Sequence, residues 1–313
     1  MGDLLVNVTV LLAVYNGEKY LPEQLMSLSD QSYKNFNVLY QDDGSADSSV
    51  EILENWSLQD SRFRAAHNQG KHMGPVGNFF SLLSQADGDL IFFSDQDDIW
   101  EPQKISLMVD AFLQQKPADN LPLLIHSDAS VISENGETLF PSFFRLQGWD
   151  PAAVQLNRLL VQNNVTGCMM MVNRALADLV LRYGNPETMF MHDWFFALSA
   201  SAFGKIIFLD QSLTRYRQHS GNAIGASRSS LIRRGFKALS EKEKVRQRIN
   251  LTYTHSRSFL ETYGDSLPEN SRSVVERYLS TQSMPKISRI LSIKKQGCLM
   301  QSSVTRFGQI LFG

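Results

Sequence analysis

The sequence predicts an α/β fold, a mostly parallel sheet flanked by helices, followed by a helical C-terminal extension. Three observations carry that prediction. Over residues 1–220, short apolar runs alternate with segments whose apolar residues recur every three to four positions. The runs are almost continuously apolar, as strands covered on both faces are, so the sheet they build is largely parallel with helices on each side. Beyond Ser220 the strand-like runs end and the charge reverses: residues 1–220 carry 14 Lys+Arg against 26 Asp+Glu, and residues 221–313 carry 16 against 6. The Gly/Ser-rich passage "SGNAIGASRSS" marks the change and reads as a loop or linker. Residues 1–222 are therefore expected to form the α/β domain, and residues 223–313 a basic, mainly helical extension.

In chain order, "NVTVLLAV" is the first strand and ends in the polar "YNGE". "EKYLPEQLMSLSDQ" follows as a helix, with Pro22 near its start where a missing amide is harmless. "FNVLY" is the second strand, leading into "QDDGSAD", whose Gly44 and Ser45 suit a turn before the helix "ADSSVEILENWS". "RFRAAH" and "GPVGNFFSLLSQA" repeat the strand-helix unit. "DLIFF" and "PQKISLMVDAFLQQ" repeat it again, with Pro102 near the helix start. "LPLLIHSD", "VTGCMMMV" and "KIIFL" complete the strands. "ENGE" reads as a hairpin turn on its Asn135-Gly136 pair, and the Met run as core.

Composition limits the function classes. Cys168 and Cys298 are too few and too far apart for a disulfide framework or a metal finger, which points to a reducing compartment. "MGDLLVNVTVLLAV" has no basic leader, and nowhere do about 18 apolar residues run together. A cytoplasmic protein, neither exported nor membrane-spanning, is expected.

In a parallel α/β sheet, ligands bind beyond the carboxyl ends of the strands. The first four strands end in "VYNGE", "QDDGSAD", "HNQG" and "SDQDDIW", which would all open onto one rim. The glycines form neither the spaced dinucleotide fingerprint nor a phosphate loop with its Lys-Ser/Thr. Carboxylates stand there instead, and close carboxylates repel one another unless a cation lies between them. A diphosphate at such a rim needs Mg²⁺ or Mn²⁺, which take oxygen ligands from one or two carboxylates plus the phosphate.

"VLLAVYNGEKYLPEQLMSLSDQSYKNFNVLYQDDGSADSS", "NQGKHMGPVGNFF", "FFSDQDDIW", "MHDWFF" and "YRQHSGN", in this order over about residues 7–222, resemble the inverting family-2 glycosyltransferases. These are nucleotide-sugar-dependent enzymes of the GT-A fold. "GPVGNFF", "SDQDDIW", "HSDASVI" and "HDWFF" look most like the subgroup of rhamnosyltransferases. The resemblance lapses beyond Gly225. It implies that Tyr15 and Asn16 lie along the donor nucleotide. One of Asp42 and Asp43 accepts from the base or ribose while the other caps the helix at Ala46. Glu18, Asn68, Asn78, Asp95 and Arg217 are implied as further donor-binding residues. "SDQDD" resembles the family's Asp-X-Asp element, so Asp95 and Asp97 are implied as metal ligands, completed by His219. Arg215 and Arg217, alternating on one segment, could both face the diphosphate.

Asp193 is implied as the general base. A hydroxyl is a poor nucleophile near neutral pH, and a carboxylate within reach can remove its proton as it attacks the anomeric carbon. Many family members have Glu-Asp where this chain has His192-Asp193. His192 is thus a competing base, and the apolar "WFF" that follows favours the aspartate by desolvating it. Asp128, His192 and Trp194 are weaker expectations for the acceptor side, as are Asn163, Asn164 and Thr166. Trp194 and Trp100 could stack on sugars or simply pack.

The resemblance implies a metal-dependent inverting transferase moving a sugar to a hydroxyl of a saccharide or lipid-linked acceptor in surface polysaccharide synthesis. Its subgroup points to dTDP-L-rhamnose as donor, with UDP-hexoses and UDP-N-acetylhexosamines left open. A non-catalytic nucleotide-sugar-binding module is the competing class. A nucleotidyltransferase would want a glycine- and arginine-rich phosphate loop where this chain has "VYNGEKY". In the extension, "SLIRRGFKAL", "PKISRILSIKK" and "VTRFGQILFG" place apolar stripes among basic residues, the pattern of an interfacial helix on the inner face of an anionic membrane. The same stripes would serve to pack on the catalytic domain or in a homo-oligomer. Nothing in the pattern calls for nucleic acid.

Overall fold

The computed structural model describes residues 6–67, 72–115, 121–219 and 242–312. The expected strand-helix alternation forms the first half: β1 (Val8–Val14), α1 (Leu21–Ser29), β2 (Phe36–Asp42), α2 (Ser49–Gln59), β3 (Phe63–Ala65), α3 (Gly74–Gln85) and β4 (Leu90–Asp95). Pro22 and Pro75 stand in the first turns of α1 and α3, where no intrahelical amide bond is lost. A two-residue strand β5 (Ile99–Trp100) and α4 (Lys104–Gln115) follow. The second half comprises β6 (Leu123–Ile132), β7 (Thr138–Phe140), α5 (Phe143–Gln147), α6 (Leu156–Leu159), β8 (Met170–Asn173), α7 (Arg174–Tyr183), α8 (His192–Phe203) and β9 (Lys205–Arg217). The hairpin turn expected at "ENGE" joins β6 to β7, with Gly136 at φ 82°.

The strands form one sheet in the order β3-β2-β1-β4-β8-β6-β9-β5, with β7 beside β6. The parallel sheet read from the sequence occupies β3-β2-β1-β4 and recurs in the β6–β9 pair, whereas β8 runs antiparallel to both β4 and β6. The sheet is therefore mixed in its second half. An apolar run such as "CMMMV" has the same pattern in either direction, so its burial was legible and its orientation was not.

Alternation along the strands sends side chains to two cores. Val10, Leu12 and Val14 of β1 join Leu21, Leu25 and Leu28 of α1 and Ile105 and Met108 of α4 on one face. Leu11, Ile91 and Phe93 join Phe79 and Leu82 of α3, Leu176 and Val180 of α7 and Phe195 of α8 on the other. The pairing levels the carboxyl ends: Val14 lies opposite Asp42, and Ala13 opposite Asp95. The polar ends of β1, β2 and β4 thus share one rim.

The extension continues as α9 (Lys242–Tyr263), α10 (Glu269–Ser280), α11 (Lys286–Gln296) and α12 (Ser303–Phe312). Its apolar stripes are largely spent inward: Tyr253, Phe259, Tyr263, Val275, Tyr278 and Ile293 belong to the same core as Trp194 and Phe195 of α8. The Phe195 and Tyr263 rings stack 5.8 Å apart, and Ser199 Oγ bonds the Tyr263 hydroxyl at 2.7 Å. Each such buried ring stabilises by about 1.5–3 kcal/mol, so the extension braces the helix that carries Asp193. "SLIRRGFKAL" lies outside the described residues. No helix among the described residues is long and apolar enough to cross a membrane.

Candidate active site

The rim begins where β1 ends. Three successive amides, those of Asn16, Gly17 and Glu18, donate to Ser45 Oγ, Ser49 Oγ and Asp47 Oδ2, which ties "YNGE" to the start of α2. Asn16 takes φ 48°, a conformation that Asn adopts more readily than other non-glycine residues, and its Oδ1 accepts the Ala46 amide at 2.8 Å. Tyr15 projects 47% exposed, its ring 4.7 Å from that of His72. Gln96, between the two aspartates of the acidic motif, binds the Tyr15 backbone twice: its Oε1 accepts from N at 2.7 Å and its Nε2 donates to O at 2.8 Å. A Cβ on Gly17 would lie 2.5 Å from Gln96 Oε1, so the glycine admits this amide clamp.

Several expected donor-binding residues have structural work here. Asp42 closes its own turn, accepting from the amides of Gly44 and Ser45 at 2.9 and 2.8 Å. Asp43 is buried and accepts from the amides of Met73 and Gly74, both at 2.8 Å, so it caps α3 across the rim. The expected cap at Ala46 is thus corrected: α2 begins at Ser49, where Asp47 Oδ1 accepts the Ser49 amide and Glu18 Oε2 accepts the Ser48 amide. Glu18 is accordingly a helix-capping carboxylate. Asn78 is 2% exposed and exchanges side-chain and backbone hydrogen bonds with Gln41, which removes it from the donor surface. Asn68 lies outside the described residues.

At the end of β4 the acidic motif divides in two. Asp97 Oδ2 lies 2.7 Å from His219 Nε2, so the two residues expected to share a metal do meet. Asp95, Asp98 and Cys168 bring one ligand atom each within 4.8 Å of one another. Asp98 Oδ1 accepts the Arg217 amide at 3.1 Å, and its buried Oδ2 has no hydrogen-bond partner among the described residues. Burial, and then repulsion from Asp97, Asp98 and Asp193, pushes the Asp95 carboxyl well above the usual range. Burial followed by repulsion from Asp97 pushes Asp98 up to about 7. Carboxylates so arranged fit a divalent cation, which would remove the repulsion. Cys168 does not suit the hard ions Mg²⁺ and Mn²⁺, and burial beside the carboxylates keeps its thiol protonated. The Asp97–His219 pair beside Asp95 supplies the oxygen and nitrogen atoms that such ions accept.

Two cations stand behind this loop. Lys104 is fully buried, donating to Cys168 O at 2.5 Å and Thr214 Oγ1 at 2.8 Å with its ammonium 3.6 Å over the Trp100 ring. Its burial lowers its pKa to about 7. Trp100 is 2% exposed and packs. Arg217, expected against the donor diphosphate, is also buried: it donates to the carbonyls of Asp97 and Glu134, both at 2.8 Å, and pairs with Glu23. It holds the acidic loop from behind, because the last residues of β9 pair with β5, which directly follows that loop. Arg215 bonds Gly136 O at 3.0 Å in the β6–β7 turn.

Asp193 opens α8, where the helix N-terminus favours its charge. Its Oδ2 accepts the Gly167 amide at 3.2 Å and its Oδ1 the Trp194 amide at 2.6 Å. Burial pushes its carboxyl up to about 7, against the lowering effect of those two bonds. The Gly167 amide that it accepts adjoins Cys168, whose thiol lies within 4.8 Å of the Asp95 carboxylate. His192, the competing base, sits in an apolar cage with its ring 4.4 Å from Phe79 and 5.6 Å from Phe93. Neither ring nitrogen has a partner among the described residues, and burial lowers its pKa to about 3. Such an imidazole is neutral and weakly basic.

On the acceptor side, several expected residues have structural partners. Asp128 accepts from Ser142 Oγ at 2.5 Å and from the amides of Ala129, Phe143 and Phe144, so it anchors α5. Trp194 is 8% exposed and donates its Nε1–H to Leu159 O at 2.6 Å, so it packs. Asn163 and Asn164 bond nearby backbone carbonyls. Sequence reasoning missed Gln96, Lys104 and Gly167. Gln96 alone carried a signal, its place inside the "DQD" triplet.

With this geometry in hand, comparison with known proteins is direct. Residues 9–180 match the model of glycosyl transferase family 2. The dTDP-rhamnosyl transferase RfbG of Shigella flexneri is 28% identical over 227 residues, 69% of this chain and 74% of its own. The Escherichia coli protein WfgD, a UDP-Glc:alpha-D-GlcNAc-diphosphoundecaprenol beta-1,3-glucosyltransferase, is 28% identical over 173 residues, 55% of this chain and 61% of its own. Among solved structures, S. aureus TarS 1-349 in complex with UDP-GlcNAc superposes with TM-score 0.56 at 17% identity, covering 97% of this chain and 90% of that one. The Pyrobaculum calidifontis mannosyltransferase PcManGT in complex with GDP-Man and Mn²⁺ gives TM-score 0.53 at 13% identity, covering 93% and 73%. The sheet, the rim and the family match agree, and the chain belongs to glycosyl transferase family 2 as a glycosyltransferase of the GT-A fold.

Proposed function

We propose that this glycosyltransferase inverts the anomeric centre of a nucleoside-diphosphate sugar, with Asp193 as general base and Asp95, Asp97 and His219 as the residues that hold a divalent cation. The observation that carries the reading is the Asp193 carboxylate, buried at the start of α8 and held by the amide of Gly167, whose neighbour Cys168 has its thiol within 4.8 Å of the Asp95 carboxylate. When bound, Mg²⁺ or Mn²⁺ supplies positive charge to the donor diphosphate as it departs. Tyr15 offers an exposed ring to the donor base, and Gln96 keeps that ring's backbone in register with the acidic loop. Asp193 accepts the proton of the acceptor hydroxyl, and the Gly167 amide fixes the carboxylate for that step.

The most favoured donor is dTDP-L-rhamnose, supported by the similarity to RfbG and by the motif subgroup; UDP-hexose and UDP-N-acetylhexosamine donors are the alternatives. The acceptor is a saccharide or lipid-linked saccharide in surface polysaccharide synthesis, a reading supported by the similarity to WfgD. The test is a panel of nucleotide sugars assayed for metal-dependent binding and hydrolysis. dTDP-L-rhamnose is expected to give release of dTDP. Failure of every donor to bind with Mg²⁺ or Mn²⁺ present would overturn the reading.

A peripheral place on an anionic membrane is a second element of the proposal. It is supported by Ile287, Leu291, Phe307 and Ile310, which stand 75%, 63%, 53% and 39% exposed on α11 and α12, with Lys294 and Lys295 in the last turn of α11. Each basic residue near such a surface contributes about 1 kcal/mol. Flotation with anionic vesicles at low salt is expected to be lost in an Ile287→Asp, Leu291→Asp variant. Absence of flotation by the wild type would remove this element.

A further inference from the structure

Phe190 is 46% exposed, three residues before Asp193, in the turn that leads into α8. An exposed phenylalanine is ordinary in itself. Its supports single it out. Its ring meets Trp194 edge-on at 6.2 Å and His255 of α9 at 6.4 Å, and Trp194 and His255 meet at 4.6 Å. Trp194 is fixed by its bond to Leu159 O, and Ser258 of α9 donates to Thr188 O at 3.2 Å in the same turn. His255 is 3% exposed, and neither ring nitrogen has a partner among the described residues. It is therefore packed as an aromatic wedge under the turn, at the cost of two unsatisfied nitrogens. Two buried rings from different parts of the chain thus immobilise one exposed ring three residues before the candidate base.

We infer that Phe190 is the acceptor platform: its exposed face takes the apolar face of a pyranose ring of the acceptor saccharide, beside the Asp193 carboxylate. The inference rests on the glycosyltransferase reading above and adds the acceptor subsite to it. A pyranose presents axial C–H groups on one face, and a rigid aromatic face covers them without needing hydrogen bonds, leaving the hydroxyls free to turn toward Asp193. The platform also gives the extension a part in the site, because His255 and Ser258 belong to α9.

Saturation-transfer NMR with methyl glycosides of rhamnose, glucose and N-acetylglucosamine tests it on the full chain. Wild type is expected to saturate the ring protons of at least one glycoside. Phe190→Ala is expected to weaken that binding by about tenfold, and Phe190→Tyr to retain it. Because Phe190 is exposed, both variants should fold, and nucleotide-sugar binding measured on the same preparations should equal that of wild type. Absence of glycoside saturation in wild type, or equal saturation in Phe190→Ala, would overturn the platform while donor binding stands. Loss of donor binding in every protein, wild type included, would instead overturn the glycosyltransferase reading of the site.

Discussion

At the scale of single residues, the consequence of Asp193's burial is a pH dependence with a definite sign. Its folded pKa of about 7 lies above its ordinary value of 3.8, so the native state keeps a proton that the unfolded chain has lost between those values. Stability therefore falls as pH rises through that window, and Asp193→Asn should gain stability relative to wild type between pH 5 and about 8. Urea denaturation at both ends checks this; an unchanged difference would contradict the burial. Transfer should move the other way, declining as pH drops through about 7 because the protonated carboxyl cannot act as a base, with Asp193→Asn losing about 10²–10⁴-fold above that pH and a shrinking factor below it. Gly17→Ala should push the Gln96 amide off the Tyr15 backbone and weaken donor affinity severalfold with little change in stability, since the obstructing atoms end a flexible side chain. Equal affinity by titration calorimetry would leave the clamp without a role. Asp95 and Asp97 stood out in the sequence because like charges at a strand end demand a reason, whereas Asp193 was marked only by the family resemblance. The capping work of Glu18, Asp43 and Asp128 was not legible, since a carboxylate that binds a ligand and one that binds a backbone amide look alike in sequence.

At the scale of elements, the strand-helix order was legible from periodicity, and α1 to α4 start within a few residues of where proline and apolar spacing put them. Two features were out of reach. β8 is antiparallel, and β9 continues past "KIIFL", through register shifts against β6, to pair with β5 and deliver Arg217 and His219 to the acidic loop. Strand direction and strand bending depend on partners far away in sequence. The C-terminal helices illustrate the same limit, because an amphipathic stripe does not say what it faces. Here most of it faces α8. Phe259→Ala should cost about 3–5 kcal/mol in urea denaturation, as expected for a ring removed from a closed core. A loss below about 1 kcal/mol would show that the extension is loosely applied. Removing the extension altogether would uncover the core around Phe195, so membrane attachment is better tested by point substitutions on the exposed faces of α11 and α12.

At the scale of the whole molecule, the chain places an acidic, cation-seeking rim at one end of its sheet and a basic, helical layer over one of the cores, with α8 spanning the two. Asp193 stands where they meet. On the proposed function, donor retention belongs to the acidic loop and proton removal to α8, so the two roles should separate under mutation. The direct test is the affinity of a nucleotide-sugar donor, measured calorimetrically across a Mn²⁺ titration in wild type, Asp97→Asn and Asp193→Asn. Wild type and Asp193→Asn should show the same metal-dependent affinity, because a base acts in the transition state, while Asp97→Asn should lose the metal dependence. Equal donor affinity in all three proteins, or loss of affinity in Asp193→Asn alone, would contradict the division of labour between the acidic loop and α8.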